Sequence, residues 1–383
     1  MADTGTFPEI PLFDLRLEPE DIEAVMEVLR SGWLTMGPRT KAFEDAFATH
    51  LGVKHAVAVS SCTAALHLAY LAAGAGPGDE VIVPAMTFAA TAAAAIYCGA
   101  TPVFADILGP HDLSLDPAAV EARITPRTKA VCVVHFAGYP APVEELRALC
   151  DEHGIKLIED AAHSPDAHVG GRMLGTWGDA AAFSFFSNKV LACGEGGLLA
   201  TDDDAIAQLA RSLRSQAMSS GTWSRHTGET DSYDVEGLGY NYRLDEPRAA
   251  LLLSRLARLE DNVAERRELT RAYRRKLAQV DGLIVPYADD AVERSTCYVM
   301  PVLVEDAERR NDVRKALRDR HGVQTSIFYP AAHEFTAYRE RFQTPPLPHT
   351  EYVARAEITL PLFSDMGEER QDRVVGALAE ALA

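Results

Sequence analysis

Between His55 and Asp160 the chain alternates short, mostly apolar runs with longer helix-patterned segments. The runs are "HAVAVS", "EVIVP", "TPVFADI", "KAVCVVHF" and "IKLIED"; between them lie "TAALHLAYLAA", "TFAATAAAAIYCG", "DPAAVEARI" and "PVEELRALCDEHG". A strand that is apolar at every position is buried on both faces, and helices between such strands supply the cover. The pattern predicts an α/β fold with a large, mostly parallel sheet sandwiched by helices. "AAAFSFF" and "GGLLATD" read as two further strands, close together. Upstream, "LEPEDIEAVMEVLRSG" and "KAFEDAFATHLG" read as helices stopped by glycine. Downstream comes a long polar loop, "SSGTWSRHTGETDSYDVEGLGYN", and then a long helix, broken or continuous, from "DEPRAALLLS" onward. "TCYVMPVLV" and "VQTSIFY" read as strands and "AERRNDVRKALRDRHG" and "GEERQDRVVGALAEALA" as helices, a smaller α+β unit. The expected division is a large domain over 1–250, with an N-terminal arm and helix, and a small C-terminal domain over 251–383.

Composition narrows the partners. A net charge of −19, from 37 basic and 56 acidic residues, opposes binding to nucleic acid or an acidic membrane. It leaves room for a small anionic ligand in a locally positive pocket. The six cysteines are scattered without a CxxC pair, so neither a metal site nor a disulfide framework is expected. The N-terminus lacks a basic, apolar leader, and "AATAAAAIYCGA" is too short to span a bilayer. A cytoplasmic protein is expected.

In open parallel sheets, ligands bind beyond the carboxyl ends of the strands. After "HAVAVS", Ser61-Cys62-Thr63-Ala64 opens a helix, which suits either an N-cap or a phosphate seat. After "EVIVP" comes Phe88, a core residue or a stacker on a flat ring. Asp160 ends a buried strand, where a carboxylate needs a partner: a loop to cap, or a protonated ring nitrogen. Ser184, inside "FSFF", needs a hydrogen bond from backbone or to a phosphate. Lys189 follows at the end of the same run, before Gly194-Glu195-Gly196-Gly197. A lysine partly desolvated at a strand end is neutral near pH 7 and nucleophilic. A phosphate seat, a ring stacker, a carboxylate and an amine are together the parts that hold pyridoxal phosphate.

These segments resemble the sugar aminotransferases that act on nucleotide-linked keto sugars, a branch of the aspartate aminotransferase fold (fold type I of the pyridoxal-phosphate enzymes). The matching stretches are "SGWLTMGP", "SSCTAALHLA", "VIVPAMTFAATA", "VVHFAGYPAP", "IEDAAHS", "FSFFSNKVLACGEGG", "GLGYNYRLDEPRAA" and "LPLF", spread over nearly the whole chain. The resemblance implies pyridoxal 5′-phosphate as cofactor, in Schiff-base linkage to Lys189, which also shuttles protons, and pyridoxamine phosphate between the half-reactions. Asp160 would pair with the pyridinium nitrogen, Phe88 stack on the ring, and His163 lie near its phenolic oxygen. Thr63, Ala64 and Ser184 would hold the phosphate. Asn241 would reach the cofactor phosphate of a neighbouring subunit, making a homodimer with shared active sites. Arg243, Tyr329 and His333 are candidates for contacting the sugar nucleotide.

The implied activity is transfer of an amino group from glutamate or glutamine to a dTDP-linked keto-deoxyhexose, or alternatively to a keto-cyclitol. Three departures from the family pattern stand out: Cys62 for glycine, Phe186-Ser187 for a frequent His-Pro, and Tyr139 for a frequent glutamine. Relatives with histidine at the lysine position are dehydratases, and Lys189 argues against that activity. A nicotinamide-dependent reductase has support only in Gly74 and Gly76, which follow a helix rather than a strand. A non-catalytic regulator that binds the same cofactor is opposed by the charge.

Overall fold

The structure is a computed structural model and describes residues 9–383. The apolar runs form one seven-stranded sheet. In chain order its strands are β1 (His55–Val59), β2 (Glu80–Pro84), β3 (Thr101–Ala105), β4 (Thr128–Val134), β5 (Lys156–Asp160), β6 (Ala180–Ser184) and β7 (Gly197–Thr201). The spatial order is β1-β7-β6-β5-β4-β2-β3. Every pairing is parallel except those of β7, which runs antiparallel to both β1 and β6. β7 therefore begins where its neighbours end, with Gly197 opposite both Val59 and Ser184. That edge leaves no room for a side chain: a Cβ on Gly197 would lie 2.3 Å from the Ser61 carbonyl carbon.

The connecting helices, Cys62–Ala72, Ala89–Tyr97 and Val143–His153, start at the carboxyl edge of the sheet, so their N-termini converge where the strands end. The alanine-rich helices sit close to the strands, and Ala65, Ala69, Ala92, Ala94 and Ala95 have essentially no exposed surface. "DPAAVEARI" forms a helix only over Pro117–Glu121.

The helix expected downstream is broken, into Glu246–Leu256 and Leu259–Leu277. The 250/251 boundary thus falls inside a helix. Beyond it, Leu283–Ile284, Met300–Val304 and Glu357–Leu360 form a three-stranded antiparallel sheet, flanked by the helices Arg310–His321 and Gly367–Leu382. "VQTSIFY" is not a regular strand. It makes single bridges, Val323 to Ile10 and Ser326 to Thr359, and its end turns away to put Phe328 and Tyr329 at a cavity on the large sheet. Residues 10–12 pair with Gly322, Gln324 and Leu362, so this part of the N-terminal arm lies with the second sheet. One apolar core joins the two sheets, from Phe43, Phe47 and Phe183 through Tyr298 to Val302 and Leu360. Among the described residues, no helix is long and apolar enough to cross a membrane.

The helix Pro38–Leu51 has no side-chain cap of its own. Glu246, buried at the start of a different helix, does that work. Its carboxylate accepts from the backbone N–H groups of Gly37, Arg39 and Thr40 at 2.9, 2.8 and 2.8 Å, and from Thr40 Oγ1 at 2.8 Å. The negative charge also faces the positive end of the helix dipole. Glu246→Ala leaves several buried donors unpaired and is expected to cost roughly 3 kcal/mol. Thermal melts and denaturant midpoints check this, and activity per folded molecule should change far less.

Candidate active site

A cavity of about 400 Å³ opens at the carboxyl ends of β1, β2, β5 and β6. Asp160 lies at its floor, where β5 ends. Thr91 Oγ1 donates to Asp160 Oδ2 at 2.7 Å and the Ala162 N–H to Oδ1 at 3.2 Å. The Thr91 hydroxyl lies 2.7 Å from that of Thr87. Since Thr91 donates its only proton to the carboxylate, it accepts from Thr87. Burial pushes the Asp160 carboxyl up, opposed by Thr91, the Ala162 amide and the Lys189 charge.

Lys189 stands in the loop between β6 and β7, and its N–H bonds to the Phe186 carbonyl at 2.8 Å. Its Nζ sits 4.4 Å from the centroid of the Tyr298 ring. Desolvation pulls the ammonium down to about 8, with Cys62 and Asp160 opposing. The Cys62 thiol also lines the cavity, 3.9 Å from Asp160 Oδ1. Burial and the Asp160 charge push it well above its ordinary value, so it stays a thiol.

His163 is buried, and burial with the nearby Lys189 charge holds its imidazole well below the ordinary value. The ring is neutral. Its Nδ1 accepts from the Ala137 N–H at 3.3 Å, so the proton is on Nε2, which donates to the Tyr329 hydroxyl at 3.0 Å. The Tyr329 proton is then free to point into the cavity. Burial raises the Tyr329 phenol well above its ordinary value, so it remains protonated.

At the other wall, Ser61 Oγ caps the helix Cys62–Ala72 by accepting from Ala64 N at 3.2 Å. The Ala64 N–H is therefore engaged, while Thr63 lines the cavity. Ser184 also lines it; its Oγ is 3.5 Å from the Phe186 N–H, a weak bond. Phe88 is 59% exposed at the mouth, its centroid 5.7 Å from that of Tyr329, which leaves a ring face for a flat ligand.

Three residues singled out from the sequence lie elsewhere. Asn241 is exposed, outside the cavity, on a segment that bonds Ser60 N–H to the Tyr242 carbonyl at 2.8 Å. Arg243 bridges to Val59 on that same segment. His333 packs against Phe104, with Nε2 3.6 Å from Glu351. Conversely, Thr87, Thr91, Asn188, Tyr298 and Phe328 enter the site without having been singled out. A hydroxyl inside the alanine run "AATAAAA" was a usable signal for Thr91. Tyr298 and Phe328 come from segments beside the second sheet, and no local pattern marks them.

The donor set suits an aromatic aldehyde phosphate. A helix N-terminus, a buried carboxylate and an amine pulled toward neutrality line one cavity, and such a group would need a seat for its phosphate, a partner for its ring nitrogen and an amine for its aldehyde. The buried Asn188 Oδ1, unpartnered at the cavity wall, offers one more acceptor.

The DegT/DnrJ/EryC1/StrS aminotransferase family matches residues 16–379. The spore coat polysaccharide biosynthesis protein SpsC of Bacillus subtilis (strain 168) is 41% identical over 366 residues, covering 94% of each chain. The crystal structure of the aminotransferase TlmJ from Streptoalloteichus hindustanus matches with a TM-score of 0.90 at 36% identity, over 97% of this chain and 98% of that one. DesI, solved in the presence of its TDP-sugar product, matches with a TM-score of 0.85 at 36% identity, over 96% and 91%. With these likenesses over nearly its whole length, the chain belongs to the DegT/DnrJ/EryC1/StrS family and is a sugar aminotransferase dependent on pyridoxal phosphate.

Proposed function

We propose that the enzyme moves an amino group from glutamate or glutamine to a keto-deoxyhexose carried on a nucleotide of the dTDP kind. The observation that carries the reading is an amine with a pKa of about 8, Lys189, in one cavity with Asp160 and a helix N-terminus. The nucleotide is supported by the likeness to DesI, seen with a TDP-sugar product. The six free cysteines suit the reducing cytoplasm.

Pyridoxal phosphate, when bound, supplies an electron sink for negative charge at the donor's α-carbon. Thr63, Ser184 and the free N–H groups at the start of the helix Cys62–Ala72 would hold its phosphate, with Ala64 contributing only where its N–H leaves Ser61. Asp160, aimed by Thr91 and the Ala162 amide, would keep the ring nitrogen protonated, and Phe88 would cover a ring face. Lys189 Nζ would be the covalent anchor. As a neutral amine, it would take a proton from the donor's α-carbon and later deliver one to the acceptor's carbon. The Tyr298 ring face steadies the ammonium form between those events. Tyr329, its hydroxyl proton left free by His163, donates to an oxygen in the cavity and contacts the acceptor. Cys62, kept as a thiol, does not compete as a nucleophile. Arg243 and His333 do not line the cavity, so any contact they make with the nucleotide would lie outside it.

Asn241 serves the phosphate of the second subunit's cofactor. Its exposure and the apolar surface near it support a homodimer: Leu238 is 94% exposed, and Tyr233 and Val235 are more than half exposed.

Lys189→Ala is expected to abolish turnover while leaving pyridoxal phosphate binding measurable, because the phosphate seat and Asp160 remain. Steady-state rates near wild type would refute the assignment. An assay of dTDP-keto sugars with glutamate tests the substrate class directly, and no amination of any of them would remove the nucleotide-sugar reading. In cofactor-free enzyme, amine-directed labelling of Lys189 read by mass spectrometry should reach half its maximal rate near pH 8. Asp160 stabilises the ammonium, so Asp160→Asn should move that midpoint to lower pH. Finally, Lys189→Ala and Asn241→Asp subunits are each expected to be inactive alone. Mixed, they should regain roughly half of wild-type activity per heterodimer, because one of its two sites is whole. No recovery despite proven subunit exchange would show that Asn241 serves its own chain.

A further inference from the structure

Glu357 has no exposed surface and no place in the chemistry above. It opens the last strand of the second sheet, where a buried carboxyl group must find partners. Its Oε1 accepts from Thr359 Oγ1 at 2.6 Å, and its Oε2 accepts from the Phe328 N–H at 2.8 Å. Two residues earlier, Ser326 and Thr359 exchange backbone bonds of 3.2 and 3.0 Å. The segment 326–328 is therefore fastened to this strand at two points.

The segment leads directly into the cavity. Tyr329 follows Phe328, and their rings stack with centroids 4.8 Å apart and planes 9° apart. Both line the cavity, and the Tyr329 hydroxyl receives the His163 Nε2–H. The cationic groups that face Glu357 are Arg310 and Arg314, on the helix Arg310–His321. Neither hydrogen-bonds to the carboxylate. Arg310 donates to the carbonyls of Ala354 and Glu357, and Arg314 to the hydroxyl and carbonyl of Thr325. Burial pushes the carboxyl up to about 8, opposed by Thr359, the Phe328 amide and these two arginines.

We propose that Glu357 is a positioning residue for the active site: through the Phe328 amide it sets the placement of Tyr329, and through Tyr329 the hydrogen bond to His163. The inference rests on reading the cavity as the cofactor and substrate site. Glu357 touches neither ligand. It determines where the Tyr329 hydroxyl stands when they arrive.

The test compares Glu357→Gln and Glu357→Leu with wild type. Glutamine keeps an acceptor for the Phe328 N–H, and its amide can donate to Thr359 Oγ1. Leucine keeps bulk but leaves that N–H buried without an acceptor, which should disfavour the fastened conformation roughly tenfold or more. The first readout is hydrogen exchange of the peptide 326–331 in cofactor-free protein. The second is the pH titration of the near-visible absorbance of the holoenzyme, which reports groups around the bound ring. The leucine variant should exchange faster at 326–331 and show a displaced titration midpoint, and the glutamine variant should restore both. If leucine and glutamine lower the melting temperature alike while both readouts stay as in wild type, Glu357 is only structural and the proposal fails. Faster exchange with an unmoved titration midpoint also overturns it, because the fastening would then not reach the site. Lys189→Ala serves as the control for the cavity itself. If that variant keeps the wild-type near-visible band, the assignment of the cavity is wrong, an outcome separate from either result at Glu357.

Discussion

Two adjacent carboxylates at the end of one buried strand set the terms for the rest of the molecule. Glu159 and Asp160 are neighbours on β5, so their side chains leave opposite faces of the sheet. Neither can remain buried and unpaired. Glu159 is satisfied by structure: the N–H groups of Gly175, Trp177 and Gly178 each donate to it at 2.7 Å, and His135 Nε2 lies at 3.0 Å. The Ala141 N–H donates to His135 Nδ1, which fixes the proton on Nε2 and makes that contact a donation to the carboxylate. A loop and the turn after β4 are thereby held to one face. Asp160 is left incompletely satisfied on the other face, toward the cavity. One strand end thus supplies both an internal fastening and a functional charge.

Much of this was legible in the chain because desolvation writes itself into sequence. Strands apolar through their centres, with chemistry-bearing residues at or just past their carboxyl ends, marked the sheet, its helices and the positions of Asp160, Ser184 and Lys189. What could not be read is what arrives from far along the chain. Tyr298 and Phe328 are aromatic residues in apolar surroundings, indistinguishable locally from core. Their placement depends on Arg266, Glu357 and Thr359: the buried Arg266 guanidinium holds the carbonyls of Cys297, Tyr298 and Leu362 at 3.2–3.3 Å. "VQTSIFY" read as a strand because its composition is that of one. In the fold its last two aromatic residues serve as cavity wall, with single bridges in place of a ladder.

The site is tuned by burial more than by charge. Lys189 is lowered, Asp160 raised and His163 lowered, and desolvation leads in each case. The charges then act as corrections, Asp160 pulling the lysine back toward its ammonium form and the lysine pulling Asp160 back toward its carboxylate. Such a site depends on staying dry, and the aromatic residues carried in from beside the second sheet are what exclude water from it.

The reversal of β7 has a consequence for how the chemistry can vary. Ser184 and Gly197 face each other across the ladder, and inside that pair the Phe185 N–H bonds to the Gly196 carbonyl and the Cys193 N–H to the Phe185 carbonyl, each at 2.9 Å. The lysine loop is clasped at its base by the sheet's own register. Its length is thereby locked, since one residue more or less would swing position 189 out of the cavity or slip two strands. Its side chain is under no such lock. Position 189 is an interchangeable tool in a fixed holder: a different side chain there changes the chemistry on an unchanged frame.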